Sequence, residues 1–129
     1  MINKRMVFAV WLALGLPATG LADVLYDSCL RADTGDGSGK CAREWLNRAE
    51  TTMQQQWERL LLVTEADTRA RIVAEQQAWQ AFRADACQFY ADTAAFGAEV
   101  QETVMPACIA NVIGVRAGQL RDYIRNIDP

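Results

Sequence analysis

The residues of this chain best suited to specific chemistry are its four cysteines, Cys29, Cys41, Cys87 and Cys108. Successive cysteines lie 12, 46 and 21 positions apart, so there is no Cys-x-x-Cys pair, and the chain has no histidine. Structural zinc sites normally combine closely spaced cysteines or add histidines. The pattern therefore favours disulfide bonds over a metal centre, and we predict no cofactor.

Four cysteines can pair in three ways. We predict Cys29–Cys41 and Cys87–Cys108, because each of these bonds closes a loop between neighbouring helices. In the chain-entropy model, a disulfide across a loop of this size stabilises the fold by roughly 3 kcal/mol. These bonds would therefore act as structural cross-links and would leave no thiolate for nucleophilic chemistry.

Other catalytic or ion-binding chemistry has little support in the sequence. The commonest general base, histidine, is missing, and no two carboxylates stand out as an acid–base couple. An EF-hand register that begins at Asp33 places Glu44 at position twelve, but Gly35 and Gly37 stand where ligands belong and Ser38 where glycine is needed. We therefore predict that the protein is not an enzyme and binds no calcium here.

The N-terminus has the pattern of a secretory signal peptide. Lys4 and Arg5 precede an uncharged stretch over residues 6–19, and small residues lead to an expected cut after Ala22. Asp23, not a cysteine, follows that point, so no lipid anchor is expected. We predict a signal peptide over residues 1–22, one domain over residues 23–129, a periplasmic or secreted location, and no stable membrane anchor after cleavage.

The predicted mature chain is acidic. Loss of Lys4 and Arg5 leaves 11 basic and 16 acidic side chains, a net charge of −5. Binding to a nucleic-acid backbone needs clustered lysine and arginine, so this balance argues against nucleic acid as a partner. It is compatible with a cationic protein partner.

Hydrophobic periodicity predicts an all-α fold, a small bundle of three principal helices with a short N-terminal helix or arm and two disulfides. Apolar residues recur at three- and four-residue steps, and no β-type alternation competes with them. Thr64 reads as the cap of the second long helix, and Pro106 as the first turn of the third. The predicted helices are a short one at Val24–Ala32, then Cys41–Val63, Thr64–Ala94 and a last one from Pro106.

Two arginines lie on otherwise apolar helix stripes. Arg83 and Arg116 would be costly to bury unless paired, so we expect each to contact helix-end carbonyls or a carboxylate such as Asp85 or Glu75. The tryptophans at helical spacing are expected in the core; they are Trp45, Trp57 and Trp79.

The run from Glu75 to Cys87, with glutamine, tryptophan, arginine and cysteine on one helix, resembles the central motif of the lysozyme-inhibitor LprI-like N-terminal domain family. An earlier Leu-Asn pair and a closing Cys-Ile followed by arginine and leucine resemble the motifs at its two ends. The resemblance covers roughly Cys29 to Tyr123. It implies a secreted or periplasmic, disulfide-bonded helical domain whose named activity is lysozyme inhibition. The matching motif residues, which we expect to be structural, are Asn47, Gln76, Trp79, Arg83 and Arg116.

The resemblance and the charge suggest another protein as the partner. One hypothesis is a cationic lysozyme-type hydrolase, with Asp33 and Asp36 on the loop closed by Cys29–Cys41 as possible contacts. The alternative is an envelope interaction, stress or immunity-type protein whose partner is not a lysozyme.

These expectations define the mature protein chemically. We expect the exported protein to begin at Asp23 on N-terminal sequencing, and non-reduced peptide mapping by mass spectrometry to recover Cys29–Cys41 and Cys87–Cys108. A Cys41–Cys87 peptide would contradict the pairing, and an uncleaved N-terminus would contradict the signal peptide.

Overall fold

A computed structural model describes residues 23–32, 35 and 37–129. The predicted signal peptide, Asp33 and Asp36 lie outside these residues. The described part of the chain is helical without strands, which confirms the all-α prediction, and α2, α3 and α5 are the three principal helices. The helices are α1 Val24–Ala32, α2 Ser38–Val63, α3 Ala66–Asp85, α4 Thr93–Phe96 and α5 Ala98–Ile127, with a 3-10 turn at Gln88–Ala91 between α3 and α4.

Helices α2 and α5 form the centre of the bundle and run parallel. Gly39 of α2 lies against Glu102 of α5, and seven residues further along each helix, Leu46 and Ile109 line the same cleft. Between them lies the apolar core, where Leu60, Ile113 and Leu120 are fully buried. Apolar burial of this kind is the main favourable contribution to folding.

Helix α3 runs antiparallel to α2 and α5 and is much less buried. Gln76 contacts Met53 of α2, whereas Arg83, later in α3, contacts the earlier α2 residue Glu50. Only Ile72 and Gln76 of α3 are buried. Ile72 and the partly buried Trp79 pack against the core, and contacts made by long polar side chains add to this packing. No helix within the described residues has the length and hydropathy needed to cross a lipid bilayer.

The second long helix ends earlier than its sequence predicts. Instead of continuing to Ala94, α3 stops at Asp85. Cys87 then adopts a left-handed backbone conformation, with φ of 70°. A residue with a Cβ adopts this conformation at a steric cost, and here it lies at the residue that forms the Cys87–Cys108 disulfide. The chain consequently turns out of the helix in an alanine-rich segment that could otherwise have continued it.

The last helix begins earlier than predicted. It starts at Ala98, directly after Gly97, whose φ of 82° favours glycine. Pro106 lies inside α5, not in its first turn. Proline has no backbone N–H, so the carbonyl of Glu102, four residues earlier, lacks its usual helical partner.

Gly39 lets α2 approach α5 at this point. A Cβ at Gly39 would lie 3.2 Å from the Glu102 carbonyl oxygen, and Gly39 itself is buried. The Glu102 carbonyl can accept a weak hydrogen bond from a glycine Cα–H. The carbonyl that Pro106 leaves without its helical partner thus lies beside Gly39 on the neighbouring helix.

Thr64 closes α2 and does not cap α3 as predicted. It is the C-terminal boundary residue of α2, and its buried hydroxyl donates a hydrogen bond to the Leu60 carbonyl. Its own carbonyl accepts a hydrogen bond of 2.8 Å from Arg69 in α3. Glu65 precedes α3 and makes no side-chain cap. The turn between α2 and α3 is therefore joined through Thr64 to both helices.

The N-terminal helix α1 is fastened to α2 by the predicted Cys29–Cys41 disulfide, and Cys87–Cys108 is also confirmed. Asp23 caps α1 by accepting a hydrogen bond from the Tyr26 N–H, and its carboxylate pairs with Arg48 of α2 at 2.8 Å. Burial raises the pKa of the Asp23 carboxyl, but the hydrogen bonds and positive charge from Arg48 and the Tyr26 N–H bring that pKa below its usual value. Its contribution to stability is therefore present above the unfolded pKa and is lost as pH falls through the folded pKa.

Gly39 and Gly114 offer a matched test of the α2–α5 approach. Gly39→Val would place a side chain against the Glu102 backbone, so we expect the free energy of unfolding to fall by about 1–3 kcal/mol, as overpacking does. A Cβ at Gly114 of α5 meets nothing within 4 Å, and we expect Gly114→Val to change stability by no more than a few tenths of a kcal/mol. Urea denaturation of both variants measures the difference. Equal stability of the two would contradict a close approach at Gly39.

Candidate functional site

Arg116 is the most deeply buried charged residue in the described part of the chain, with 3% of its surface exposed. Its Nε donates a 2.9 Å hydrogen bond to Gln76 Oε1, and its Nη1 donates a 2.8 Å hydrogen bond to Glu75 Oε1. Nη1 also reaches Gln119 of its own helix at 3.3 Å. Glu75, one of the partners expected for the two arginines, thus pairs with Arg116 and joins α3 to α5.

Aromatic rings flank the Arg116 guanidinium. Its central carbon lies 5.7 Å from the centre of the Trp79 ring and 5.9 Å from that of Tyr123. The Tyr123 hydroxyl also donates to Glu75, and burial, this hydrogen bond and the Glu75 charge raise the pKa of Tyr123 above its usual value. Nη2 has no hydrogen-bond acceptor among the described residues, so it relies on the neighbouring ring faces.

Gln76 extends this network to α2. Its side-chain nitrogen donates to the sulfur of Met53 at 3.6 Å while its oxygen accepts from Arg116. A single amide thus contacts both central helices from α3. Three motif residues, Gln76, Trp79 and Arg116, therefore lie together, and their contacts are those of a fold-forming cluster.

Arg83 forms a second link between α3 and α2. It pairs with Glu50, a partner that was not predicted from the sequence. It pairs with neither Asp85 nor Glu75.

Beside Arg83 lies a cleft of about 440 Å³ between α2, α3 and α5, near the end of the bundle that carries both disulfides. The cleft is lined by Leu46, Gln80, Arg83, Ala84, Ala86, Gln88 and Ile109.

Asn47, the remaining motif residue, differs from the others because it is exposed. It follows Leu46 of the cleft on α2, and its backbone carbonyl accepts a hydrogen bond from the Thr51 hydroxyl. The structure therefore does not bring Asn47 into the Arg116 cluster.

Charge is distributed unevenly along the bundle. We define the disulfide end as residues 23–51 and 78–111, and the opposite end as residues 52–77 and 112–129. Among the described residues, the disulfide end has eight acidic and five basic side chains, whereas the opposite end has six of each. Residues 84–115 contain no lysine or arginine at all. This signal is readable from the sequence, but only the fold shows that these residues gather at one end.

Asp33 and Asp36, the predicted partner contacts, lie outside the described residues. Their neighbours Cys29 and Cys41 are joined by a disulfide at the same end of the bundle. The described residues contain no group of three or more acidic or cysteine side chains arranged to hold a metal ion. What this end offers chemically is a carboxylate-rich surface with apolar side chains between the charges.

The role of Arg116 in holding α3 can be tested against an exposed arginine. We expect Arg116→Met to lower the free energy of unfolding by about 3 kcal/mol, because the buried Gln76 loses its partner and the ion pair with Glu75 is broken. Arg125→Met removes a solvent-exposed pair with Asp122 and should cost no more than about 1 kcal/mol. Urea denaturation compares them, and similar losses for both would show that Arg116 does not hold the helix.

The sequence of this chain matches one protein-family model. The model of the family described as lysozyme inhibitor LprI matches residues 22–120, a range that includes all four cysteines and all five motif residues. No curated protein and no solved structure matched the chain. The match spans most of the chain, and on that basis this chain belongs to the lysozyme inhibitor LprI family.

Proposed function

We propose that this protein is exported to the periplasm or the cell exterior, where it binds and inhibits a lysozyme-type cell-wall hydrolase without catalysing a reaction itself. Membership of the lysozyme inhibitor LprI family supports the inhibitory activity. Two disulfides are typical of proteins in an oxidising compartment. The structural observation that carries the proposal is the excess of carboxylates at the disulfide end.

Charge complementarity explains why that end suits a cationic hydrolase. Opposite charges steer two proteins toward one another and raise the association rate, and they disfavour partners of like charge. The opposite end has balanced charge and offers no such steering. A cationic enzyme would therefore be attracted to the disulfide end of this protein.

The loop between Cys29 and Cys41 is the proposed carrier of part of this contact. Asp33 and Asp36 add two carboxylates to a segment whose two ends are joined by a disulfide. A loop closed in this way loses less conformational entropy on binding than an open one. In this proposal both aspartates face basic side chains of the hydrolase.

The experiment is a turbidity assay in which the purified mature protein is titrated into lysozymes acting on bacterial cell walls. We expect inhibition that weakens as ionic strength rises, because salt screens exposed charges. The double variant D33N/D36N should weaken inhibition by roughly three- to tenfold, as the loss of two charge contacts at an interface does.

The matched control neutralises two exposed carboxylates of the opposite end. E65Q/D128N changes the net charge by the same amount as D33N/D36N, so we expect it to inhibit like the unmodified protein. Equal losses in both variants would contradict a contact through the Cys29–Cys41 loop. Failure of the unmodified protein to inhibit any lysozyme type at large molar excess would reject the proposed function and favour an envelope partner of another class.

A further inference from the structure

The segment between α3 and α5 exposes an aromatic cluster. The ring of Phe89 lies 4.7 Å from that of Phe96 and 5.4 Å from that of Tyr90, and the rings of Tyr90 and Phe96 are 5.8 Å apart. Phe89 nevertheless leaves 70% of its surface exposed. We call these three residues the aromatic knob. A large aromatic side chain held by its neighbours and still open to solvent is typical of contact sites.

The backbone beneath the aromatic knob is held at several points. Cys87, two residues before Phe89, is joined to α5 through Cys108. Asp92 accepts hydrogen bonds from the backbone N–H groups of Ala94 and Ala95, and so caps the short helix that carries Phe96. The rings therefore occupy defined positions before any partner arrives, which lowers the entropy cost of binding.

The charged side chains of the segment that carries the aromatic knob are all acidic, whereas Arg83, near the end of α3, lines the cleft beside Gln88. Residues 84–115 have four carboxylates and no basic side chain, and all four carboxylates are exposed; they are Asp85, Asp92, Glu99 and Glu102. An apolar centre with a polar rim is the usual plan of a protein interface. The charged groups that this segment contributes are acidic, so a basic surface would complement them.

We infer that the aromatic knob is the anchor through which this protein docks on a cationic protein, with Phe89 entering an apolar depression bordered by lysine or arginine side chains. The inference rests on the proposed function in one respect, because it takes the cationic partner to be the lysozyme-type hydrolase. It adds a contact surface distinct from the Cys29–Cys41 loop and names the side chain at its centre.

The distribution of exposed apolar residues favours the knob over other surfaces. Leu62 is even more exposed, at 84%, but it lies at the opposite end of the bundle, where acidic and basic side chains balance. Val24, Leu25 and Phe82 are also exposed at the disulfide end, but Phe89 is the most exposed aromatic residue of the described part of the chain and lies in a segment without basic side chains. Truncation of such a central aromatic residue usually has a large effect on binding.

The test compares Phe89→Ser with Leu62→Ser, since both variants replace an exposed apolar residue with serine. Binding of each mature, oxidised protein to purified lysozymes is measured by calorimetry, with thermal unfolding followed by circular dichroism. We expect Phe89→Ser to weaken binding by at least about tenfold and Leu62→Ser to leave it unchanged. Equal affinities for Phe89→Ser and the unmodified protein would overturn the inference while the proposed function stands.

Hydrogen exchange of the unmodified protein provides a second measurement that does not depend on the variants folding. Binding of lysozyme should slow amide exchange over residues 88–97. Protection confined to other segments would overturn the inference even if Phe89→Ser were unfolded. If the unmodified protein binds no lysozyme of any type, the proposed function fails first, and the docking inference fails with it.

Discussion

The position of α3 depends on one buried cation. Helices α2 and α5 share an apolar core, whereas α3 buries only Ile72 and Gln76, packs Trp79 against that core, and makes its remaining contacts through polar side chains. Burying a guanidinium costs several kcal/mol unless charge and hydrogen bonds compensate for lost water. Arg116 is compensated by Glu75, Gln76 and two ring faces, and every one of these except Tyr123 is on α3. The cleft and the aromatic knob both lie where α3 leaves the bundle, so their shape follows from this contact.

The sequence predicted the helices better than their ends. Periodicity identified α2, α3 and α5 and the faces they bury, because burial of an apolar stripe follows directly from residue spacing. It placed the end of α3 at Ala94 and the start of α5 at Pro106. Local composition is helix-forming across the first point, and only the left-handed conformation of Cys87 interrupts it. The second point was misplaced because a proline is typical of a first helical turn, whereas α5 begins directly after Gly97, at a φ of 82°, and continues through Pro106.

For the candidate site, the important residues could be identified from the sequence, but only the fold shows which of them lie together. Both disulfides were predicted from the sequence as the structure has them, and Glu75, one of the partners expected for the two arginines, pairs with Arg116. Glu50 could not be identified as the partner of Arg83, because many carboxylates stand on exposed helix faces. The exposure of Phe89 could not be predicted either, because a phenylalanine in a helix-forming segment is normally expected to be buried. Its surroundings, with no basic residue from 84 to 115, were the available signal.

The parallel arrangement of α2 and α5 has an electrostatic consequence of its own. Backbone dipoles give each helix about half a positive charge at its N-terminus and half a negative charge at its C-terminus. Both central helices begin at the disulfide end, and α3 ends there, so the three backbones together contribute about +0.5 charge to it. The described side chains contribute −3. Glu99 lies in the first turn of α5, where a carboxylate stabilises the beginning of a helix, whereas the first turn of α2 has no acidic residue. A cationic partner that neutralises Glu99 would remove part of the field that favours the beginning of α5, which links occupancy of this surface to the stability of a central helix.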